Sequence, residues 1–182
     1  TFSANVVGVD AHGQAITPCY TYADSRCAAQ VEALRKTFDE AEVQQRTGTR
    51  FHSSYLAPRF LWLRESNPEL FGSVDRWMAL GEYAYLKMLG HTAIGTAGAA
   101  WTGLLNRHTG EWDRELLDHC GVRVEQMGEI RDPDQPLSDD SGKATARWPE
   151  LAGASWFPVI SDGLVSNIGS GAPDSRAMAA SA

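Results

Sequence analysis

The chain has 182 residues, of which 43% are hydrophobic and 21% charged, and its net charge is −7. This is the size and composition of one ordinary globular domain. A net acidic chain is not expected to bind nucleic acid or an anionic membrane surface, and no apolar run reaches the length of about 18 residues that spans a bilayer. The odd, sparse set of cysteines (Cys19, Cys27 and Cys120) is typical of a reduced, cytoplasmic protein.

The two ends of the sequence indicate a piece of a longer protein. Thr1 opens directly in a strand-like pattern, without the basic start and long apolar stretch of a signal peptide. The chain closes at Ala182 without a clear capping element. We therefore expect further sequence on both sides.

The first half of the chain predicts a hairpin followed by helices. Residues 5–10 and 15–22 are typical of two short strands joined by a turn at 11–14. Asp24 has the character of a helix N-cap, and the helix after it is predicted to end before Thr47-Gly48. Further helices are predicted at 56–65, entered through Pro58, at 67–71 after Asn67, and at 75–89 with Gly90 as the stop.

The second half mixes small-residue, helical and strand-like segments. Residues 92–103 are too small-sided for a surface helix and not clearly a strand, and Trp101 stands out because it interrupts them. A helix is predicted at 112–121, and the polar segment 132–148 predicts a surface loop or a poorly ordered excursion. A final strand is expected to end at Ile160, with a turn at 161–163 and a helix from Leu164. This alternation indicates an α/β domain.

Asp162 has two interpretations. Asp-Gly is a common turn, and aspartate is a good N-cap for the next helix. Alternatively, an acid at the carboxyl end of a strand lies where α/β sheets bind ligands. A carboxylate there, next to a helix N-terminus, can accept the proton of an alcohol as its oxygen attacks a phosphoryl group.

Residues 22–26 form a second candidate site. Asp24 and Arg26 are explained by a cap and a solvated arginine. In the functional interpretation, Tyr22 offers a flat face and a hydroxyl to a polyol, and Asp24 and Arg26 brace the loop. Both interpretations are open from the residues alone.

Motifs for nucleophiles, metals and phosphate loops do not occur in the sequence. The cysteines have no C-x-x-C partner, so we expect no metal site. The segment I-G-S-G at 168–171 does not match the nucleophile elbow G-x-S-x-G. The glycine-rich pieces match neither G-x-x-x-x-G-K-[ST] nor G-x-G-x-x-G, so no phosphate cradle is expected in this chain.

Four segments, taken together and in order, resemble the FGGY carbohydrate kinases, particularly the gluconokinase- and xylulokinase-like members. The strand, turn, strand and W-x-D-x-R signature is similar to V-G-V-D-A-H-G-Q-A-I-T-P-C-Y-T-Y-A-D-S-R, with Tyr22 where Trp is usual. The T-G, K-x-x-W-L and P-E-x-F pattern is similar to T-G-T-R-F-H-S-S-Y-L-A-P-R-F-L-W-L-R-E-S-N-P-E-L-F, with Arg59 in place of Lys. The A-S-x-T-G-L-x-(D/N) block resembles A-A-W-T-G-L-L-N, with Ala100 in place of Ser, and the segment with the catalytic aspartate resembles V-I-S-D-G-L-V-S-N-I-G-S-G.

The resemblance implies a fold of two ribonuclease H-like (actin-like) domains with ATP and sugar in the cleft between them. It implies that residues 1–182 are the later part of the first domain. The family's phosphate loop is then expected upstream of Thr1, and the second domain, with most of the nucleotide site, beyond Ala182. ATP and Mg²⁺ are expected to bind mainly to those other parts, so this chain alone is not expected to turn over ATP.

The resemblance also implies which residues form the site. Asp162 maps onto the catalytic aspartate, and the reaction implied is phosphorylation of a hydroxyl of a linear sugar, sugar acid or polyol. The predicted substrate contacts are Ser3, Ala4, Asn5, Tyr22, Asp24, Ser54 and Gly163. Whether the protein forms a homodimer is left open by the sequence.

Two departures from the family pattern bear on the substrate. The family's sugar-contacting Met-His or Trp-His pair falls on Ser3-Ala4, and the position that is Tyr in glycerol kinases falls on Ser54. A changed pocket is implied. Two alternatives to the kinase therefore stay open: a non-catalytic sugar-binding or regulatory relic of the scaffold, and an unrelated α/β domain in which Asp162 is only a helix cap that faces no cleft.

Overall fold

The first strand, β1 (Val7–Val9), has a partner on each side in the computed structural model, which describes residues 4–172. One partner is β2 (Arg76–Met78), antiparallel, with Gly8 opposite Trp77. The other is the returning segment of the predicted hairpin, which pairs only through single bridges, Val6 with Tyr20 and Val9 with Ala15. The hairpin is present, but its second arm is not a regular strand.

The predicted helix at 75–89 is wrong at its beginning. Residues 76–78 form β2, and the helix α5 (Leu80–Leu89) begins only after it. Trp77 and Met78 are both buried because they pair with β1, and this long-range pairing overrides the local helical pattern. The predicted stop is confirmed, since Gly90 adopts the left-handed conformation at the end of α5, with φ 84°.

The helical region after residue 24 consists of two helices rather than one. The first, α1 (Ala28–Thr37), begins after Cys27, so the prediction that Asp24 is its N-cap is wrong. The second, α2 (Glu40–Thr47), is capped by Asp39, whose carboxylate accepts a hydrogen bond from Ala41 N at 2.8 Å. Phe38 between the helices has an extended backbone, which breaks the predicted continuous helix.

The next two helices confirm their predictions. They are α3 (Leu56–Ser66) and α4 (Pro68–Ser73). Asn67 caps α4 by accepting from Leu70 N at 3.2 Å, and Pro68 occupies the first helical position, where no backbone N–H is needed.

The remaining elements are short and alternate between strand and helix. In chain order they are β3 (Ile94–Gly95), α6 (Thr96–Ala100), β4 (Leu105–Asn106), β5 (Glu111–Trp112), α7 (Arg114–Cys120), β6 (Ile130–Arg131), α8 (Lys143–Arg147) and α9 (Asp162–Gly169). Strands β4 and β5 form an antiparallel hairpin, so the helix predicted from residue 112 begins two residues later, at Arg114.

Three parallel segments meet at β3. Ile94 pairs in parallel with Ile130 of β6 and with Val159, the latter as a single bridge. Ile94 N donates to Glu129 O and Gly95 N to Val159 O, which places β3 between the other two segments. The predicted last strand therefore pairs only through a single bridge at Val159, at the expected place in the chain. Its carboxyl end lies at the same edge as the carboxyl ends of β3 and β6.

The prediction of a surface loop at 132–148 is only partly right. It contains α8, and its side chains Leu137 and Ala144 are buried. They pack with Leu89 and Ala93 in a small second core. The prediction misses this because the apolar residues are few and widely spaced.

The main core is built around α3. This helix packs against α1, α4 and α7 and is buried on nearly every side, as expected of a central helix. Phe60, Phe71 and Trp77 form an aromatic cluster with ring centroids 5.0–6.4 Å apart. All three cysteines are free thiols. In the described residues, none of the helices combines the length and apolarity that a membrane crossing requires.

Candidate functional site

Asp162 is the first residue of α9, at the carboxyl edge of the three parallel segments. Ser161, not Asp162, is the N-cap, so the helix begins two residues earlier than predicted and the prediction of Asp162 as a cap is wrong. The carboxylate is exposed, and its Oδ1 accepts from Gly163 N at 3.1 Å. The helix N-terminus favours the ionised form of an acid at this position.

Trp101 lies directly beside this acid. A Cβ placed on Gly163 would be 3.1 Å from Cζ2 of Trp101, so the indole ring rests against the backbone next to Asp162. Trp101 is 43% exposed. The sequence marks Trp101 as unusual but does not predict that it lies beside Asp162, because only the fold brings the end of α6 next to α9.

Thr96 occupies the same edge. Its Oγ1 lies 3.3 Å from Arg131 O and 3.4 Å from an Asp132 carboxylate oxygen, to either of which it can donate. The edge therefore carries two acids, Asp132 after β6 and Asp162 at α9, and an exposed aromatic ring.

Asp24 and Arg26, the predicted brace of the loop at residues 22–26, are in contact with each other. Arg26 Nε donates to Asp24 Oδ1 at 2.9 Å, and the Arg26 guanidinium stacks over the Trp62 ring at 4.3 Å from its centroid. The hydrogen bond from Arg26 holds the pKa of the Asp24 carboxyl below its usual value. Tyr22, at the tip of this loop, is 56% exposed. Asp24 is thus paired with Arg26 within the loop, and Tyr22 is presented to solvent.

Ser54 is half-buried and paired with His52. Ser54 N donates to His52 Nδ1 at 3.2 Å, and Ser54 Oγ lies 3.0 Å from the same nitrogen. Because Nδ1 accepts the backbone bond, the Ser54 hydroxyl donates to it and the ring proton is assigned to Nε2. The oxygen lone pairs of Ser54 remain available as acceptors.

Ala4 and Asn5 precede β1. Ala4 has φ 49°, an uncommon left-handed conformation for a residue other than glycine. Asn5 is 5% exposed, and its Oδ1 accepts from Leu80 N at 2.6 Å, which helps to start α5. Ser3, the other predicted contact here, lies outside the described residues.

The end of α6 contacts both the Asp162–Gly163 region and the start of α3, which follows the loop with Ser54. Trp101 lies against Gly163, and the next residue, Thr102, accepts a backbone hydrogen bond from Leu56 N at 2.9 Å. Leu56 begins α3 two residues after Ser54. The acid edge and the loops before α3 are therefore held on adjoining elements.

Two features bear on whether this chain holds Mg²⁺ and ATP, namely metal-ligand clusters and glycine-rich phosphate-loop motifs. Within residues 4–172, no group of three or more His, Cys, Asp or Glu side chains could hold a metal ion. The sequence also lacks the glycine-rich phosphate-loop motifs.

Comparison with known proteins identifies the family. The profile described as "FGGY family of carbohydrate kinases, N-terminal domain" matches residues 1–164. The chain belongs to this family. The match confirms the family expected from the four motifs of this FGGY chain.

Curated relatives of this FGGY chain are named kinases. It is 24% identical over 165 residues to a gluconokinase of Bacillus subtilis, which covers 91% of the chain and 32% of the relative. It is 29% identical over 161 residues to an autoinducer-2 kinase of Salmonella typhimurium, with 87% and 29% covered. A xylulose kinase of Escherichia coli is 27% identical over 158 residues, with 85% and 31% covered. The chain thus spans about a third of the length of these relatives.

Solved structures share the fold. A gluconate kinase from Lactobacillus acidophilus superposes with a TM-score of 0.85 at 25% identity, covering 92% of this chain and 34% of that protein. A xylulose kinase from Rhodospirillum rubrum superposes with a TM-score of 0.87 at 19% identity, covering 93% and 35%. The expected α/β fold of a sugar kinase, of the ribonuclease H-like (actin-like) class, is confirmed, and the unrelated-domain alternative is wrong.

Proposed function

We propose that the protein containing this FGGY chain phosphorylates a hydroxyl of a linear sugar, sugar acid or polyol, with ATP as donor and Asp162 as general base. The observation that carries the proposal is the exposed Asp162 carboxylate at the carboxyl edge of the parallel segments. Ligands bind at this edge in open α/β sheets. Relatives named gluconokinase and xylulose kinase support a gluconate- or xylulose-like substrate.

The proposed step is an in-line phosphoryl transfer. The substrate hydroxyl oxygen forms a bond to the terminal phosphorus of ATP, the bond from that phosphorus to the ADP oxygen breaks, and the hydroxyl proton passes to the Asp162 carboxylate. Because little covalent chemistry is asked of the protein in such a reaction, positioning and proton acceptance are its main contributions. An exposed carboxylate meets the second requirement.

The remaining predicted residues have separate proposed roles. Tyr22 offers an exposed ring and hydroxyl, and Ser54 offers acceptor lone pairs. Ser3 and Ala4 would border the sugar, Ala4 through its backbone alone. Asn5 would support these two residues through the hydrogen bond that its Oδ1 accepts from Leu80 N. Asp24 would brace the Tyr22 loop.

Gly163 and Trp101 would form the wall beside the acid. A Cβ at 163 would lie 3.1 Å from Cζ2 of Trp101, so a side chain there would have to displace the ring by a few tenths of an ångström. An exposed indole offers an apolar face to the C–H surface of a sugar. The phosphate-binding groups and any Mg²⁺ ligands would come from parts of the protein outside this chain, in a cytoplasmic enzyme supplied with ATP.

Replacing the proposed base tests the role directly. In the complete protein, we expect Asp162→Asn to lower kcat by roughly 10²–10⁴-fold, the usual contribution of general base catalysis, while sugar affinity changes little. The matched control is Asp132→Asn, which removes an exposed acid from the same edge and should retain near wild-type turnover. The measurements are steady-state ADP release and sugar binding by calorimetry. Unimpaired turnover in Asp162→Asn would remove Asp162 from the role.

A second candidate function is a non-catalytic sugar-binding or regulatory protein on the kinase scaffold. The observation that favours it is Ala4, which has no functional side chain where the family's pattern has a sugar-contacting one. Binding of ATP and sugar without ADP release would identify this case.

A further inference from the structure

Arg59 is a buried arginine that joins three segments of the chain. It is 1% exposed. Its Nη1 donates to Ala4 O at 3.2 Å, and its Nη2 donates to Thr21 O at 2.8 Å and to Ser53 O at 3.0 Å. The three acceptors lie far apart in sequence, before β1, in the loop after the bridge at Tyr20, and in the loop before α3.

These carbonyls belong to the segments that carry the predicted sugar contacts. Ala4 is itself one of them, Thr21 precedes Tyr22, and Ser53 precedes Ser54. The side chain of Arg59 reaches them because it lies in the first turn of α3, and helical side chains point back toward the N-terminus of their helix. A single guanidinium thus binds the backbone at Ala4 and directly before Tyr22 and Ser54.

The chemistry of the guanidinium suits this task. Its N–H groups form a rigid planar fork, so one side chain can hold several acceptors in fixed directions, which a compact ammonium does less well. The acceptors are backbone carbonyls, which do not move with a side-chain rotamer. Cys27 adds a weaker bond from its Sγ to Ser53 O at 3.5 Å. Burial lowers the pKa of Arg59, and the neighbouring Cys27 and Asp24 oppose that shift only in part.

We propose that Arg59 is a positioning residue that sets the shape of the sugar pocket by tying the segments at Ala4, Thr21 and Ser53 to α3. Its effect on catalysis rests on the function proposed above, whereas its effect on the order of the three segments does not. The resemblance to the family has Lys at this position, so the arginine adds contacts that a lysine could make only in part.

The test uses Arg59→Met and Arg59→Lys in the complete protein, with Arg64→Met as the matched control. Arg64 belongs to the same helix and also donates to a distant carbonyl, His119 O at 3.0 Å, on the side of α7. Hydrogen–deuterium exchange of the unliganded protein is read for peptides covering residues 4–6, 21–23 and 52–55. Steady-state kinetics with gluconate and xylulose are measured in parallel.

We expect Arg59→Met to speed exchange in these three peptides by about tenfold or more, because a buried charge-assisted hydrogen bond is lost in each. Arg64→Met should leave them unchanged. With a turned-over sugar, Arg59→Met should raise the sugar KM about tenfold while the KM for ATP stays the same and kcat stays within about threefold. Arg59→Lys should fall between wild type and Arg59→Met.

Two results would overturn the proposal. One is wild-type exchange in the three peptides of Arg59→Met. The other is equal acceleration throughout the chain, matched by Arg64→Met, which would make Arg59 a general stabilising residue. If Arg59→Met does not fold, wild-type exchange and sugar KM in Arg59→Lys would count against the proposal, and a graded loss confined to the three peptides would support it. Altered exchange without any kinase activity would retain the positioning role and reject the proposed function instead.

Discussion

Glu82 is a buried acid at the start of α5. It is 2% exposed, and one carboxylate oxygen accepts from Ala79 N at 2.7 Å. The other oxygen has no hydrogen-bond partner within residues 4–172. Burial raises the pKa of Glu82 to about 7, and the bond from Ala79 opposes this only in part. The folded chain therefore holds a proton here that the unfolded chain releases at a lower pH.

The raised pKa of Glu82 should make the free energy of unfolding depend on pH. Because the folded pKa lies above the ordinary value of 4.5, the contribution is fully present below about pH 4.5 and is lost as pH rises through about 7. Relative to Glu82→Gln, the wild-type free energy of unfolding should fall between pH 5 and pH 8, by roughly 3 kcal/mol at most. Urea titrations at both pH values measure this. Glu69→Gln, an exposed acid in the first turn of α4, is the control; parallel curves for wild type and Glu82→Gln would refute the assignment.

At the scale of elements, local signals predict helix ends well and strand pairing poorly. Asn67-Pro68 and Gly90 mark helix boundaries that the structure confirms, because caps and left-handed turns depend on neighbouring residues. The break at Asp39 is missed although a capping signal is present, an acid with Glu42 three residues on. Strand β2 is missed for a different reason, since its pairing with β1 is a contact that local periodicity does not contain.

The crowding around β1 leads to a prediction about Gly8. A Cβ at this position would lie 2.7 Å from Cγ2 of Val74 and 2.9 Å from Cζ3 of Trp77. Gly8→Ala should therefore lower the free energy of unfolding by about 1–3 kcal/mol through overpacking. Gly72→Ala is the control, because a Cβ there meets nothing within 4 Å and Gly72 lies in α4. It should be neutral or stabilise by up to about 1 kcal/mol. Equal stabilities of the two variants, measured by urea unfolding, would contradict this packing.

At the scale of the whole molecule, the sequence indicates the family and the edge on which Asp162 lies, but not how the site is held together. Four ordered motifs suffice for the family, which the profile match confirms. The roles of Asp162 and the sugar contacts stay predictions. Trp101 beside Gly163, and Arg59 on carbonyls up to 55 residues away, could not be found from the sequence because each depends on the packing of distant elements.

The most direct test of the central claim is sugar-dependent ADP release by the protein expressed from its complete reading frame. The panel is gluconate, xylulose, ribulose, glycerol and related polyols. We predict ADP formation with at least one of them, lost in Asp162→Asn, because that acid accepts the hydroxyl proton. Intact ATP binding with no ADP formed from any member of the panel would contradict the kinase and favour the non-catalytic binding protein.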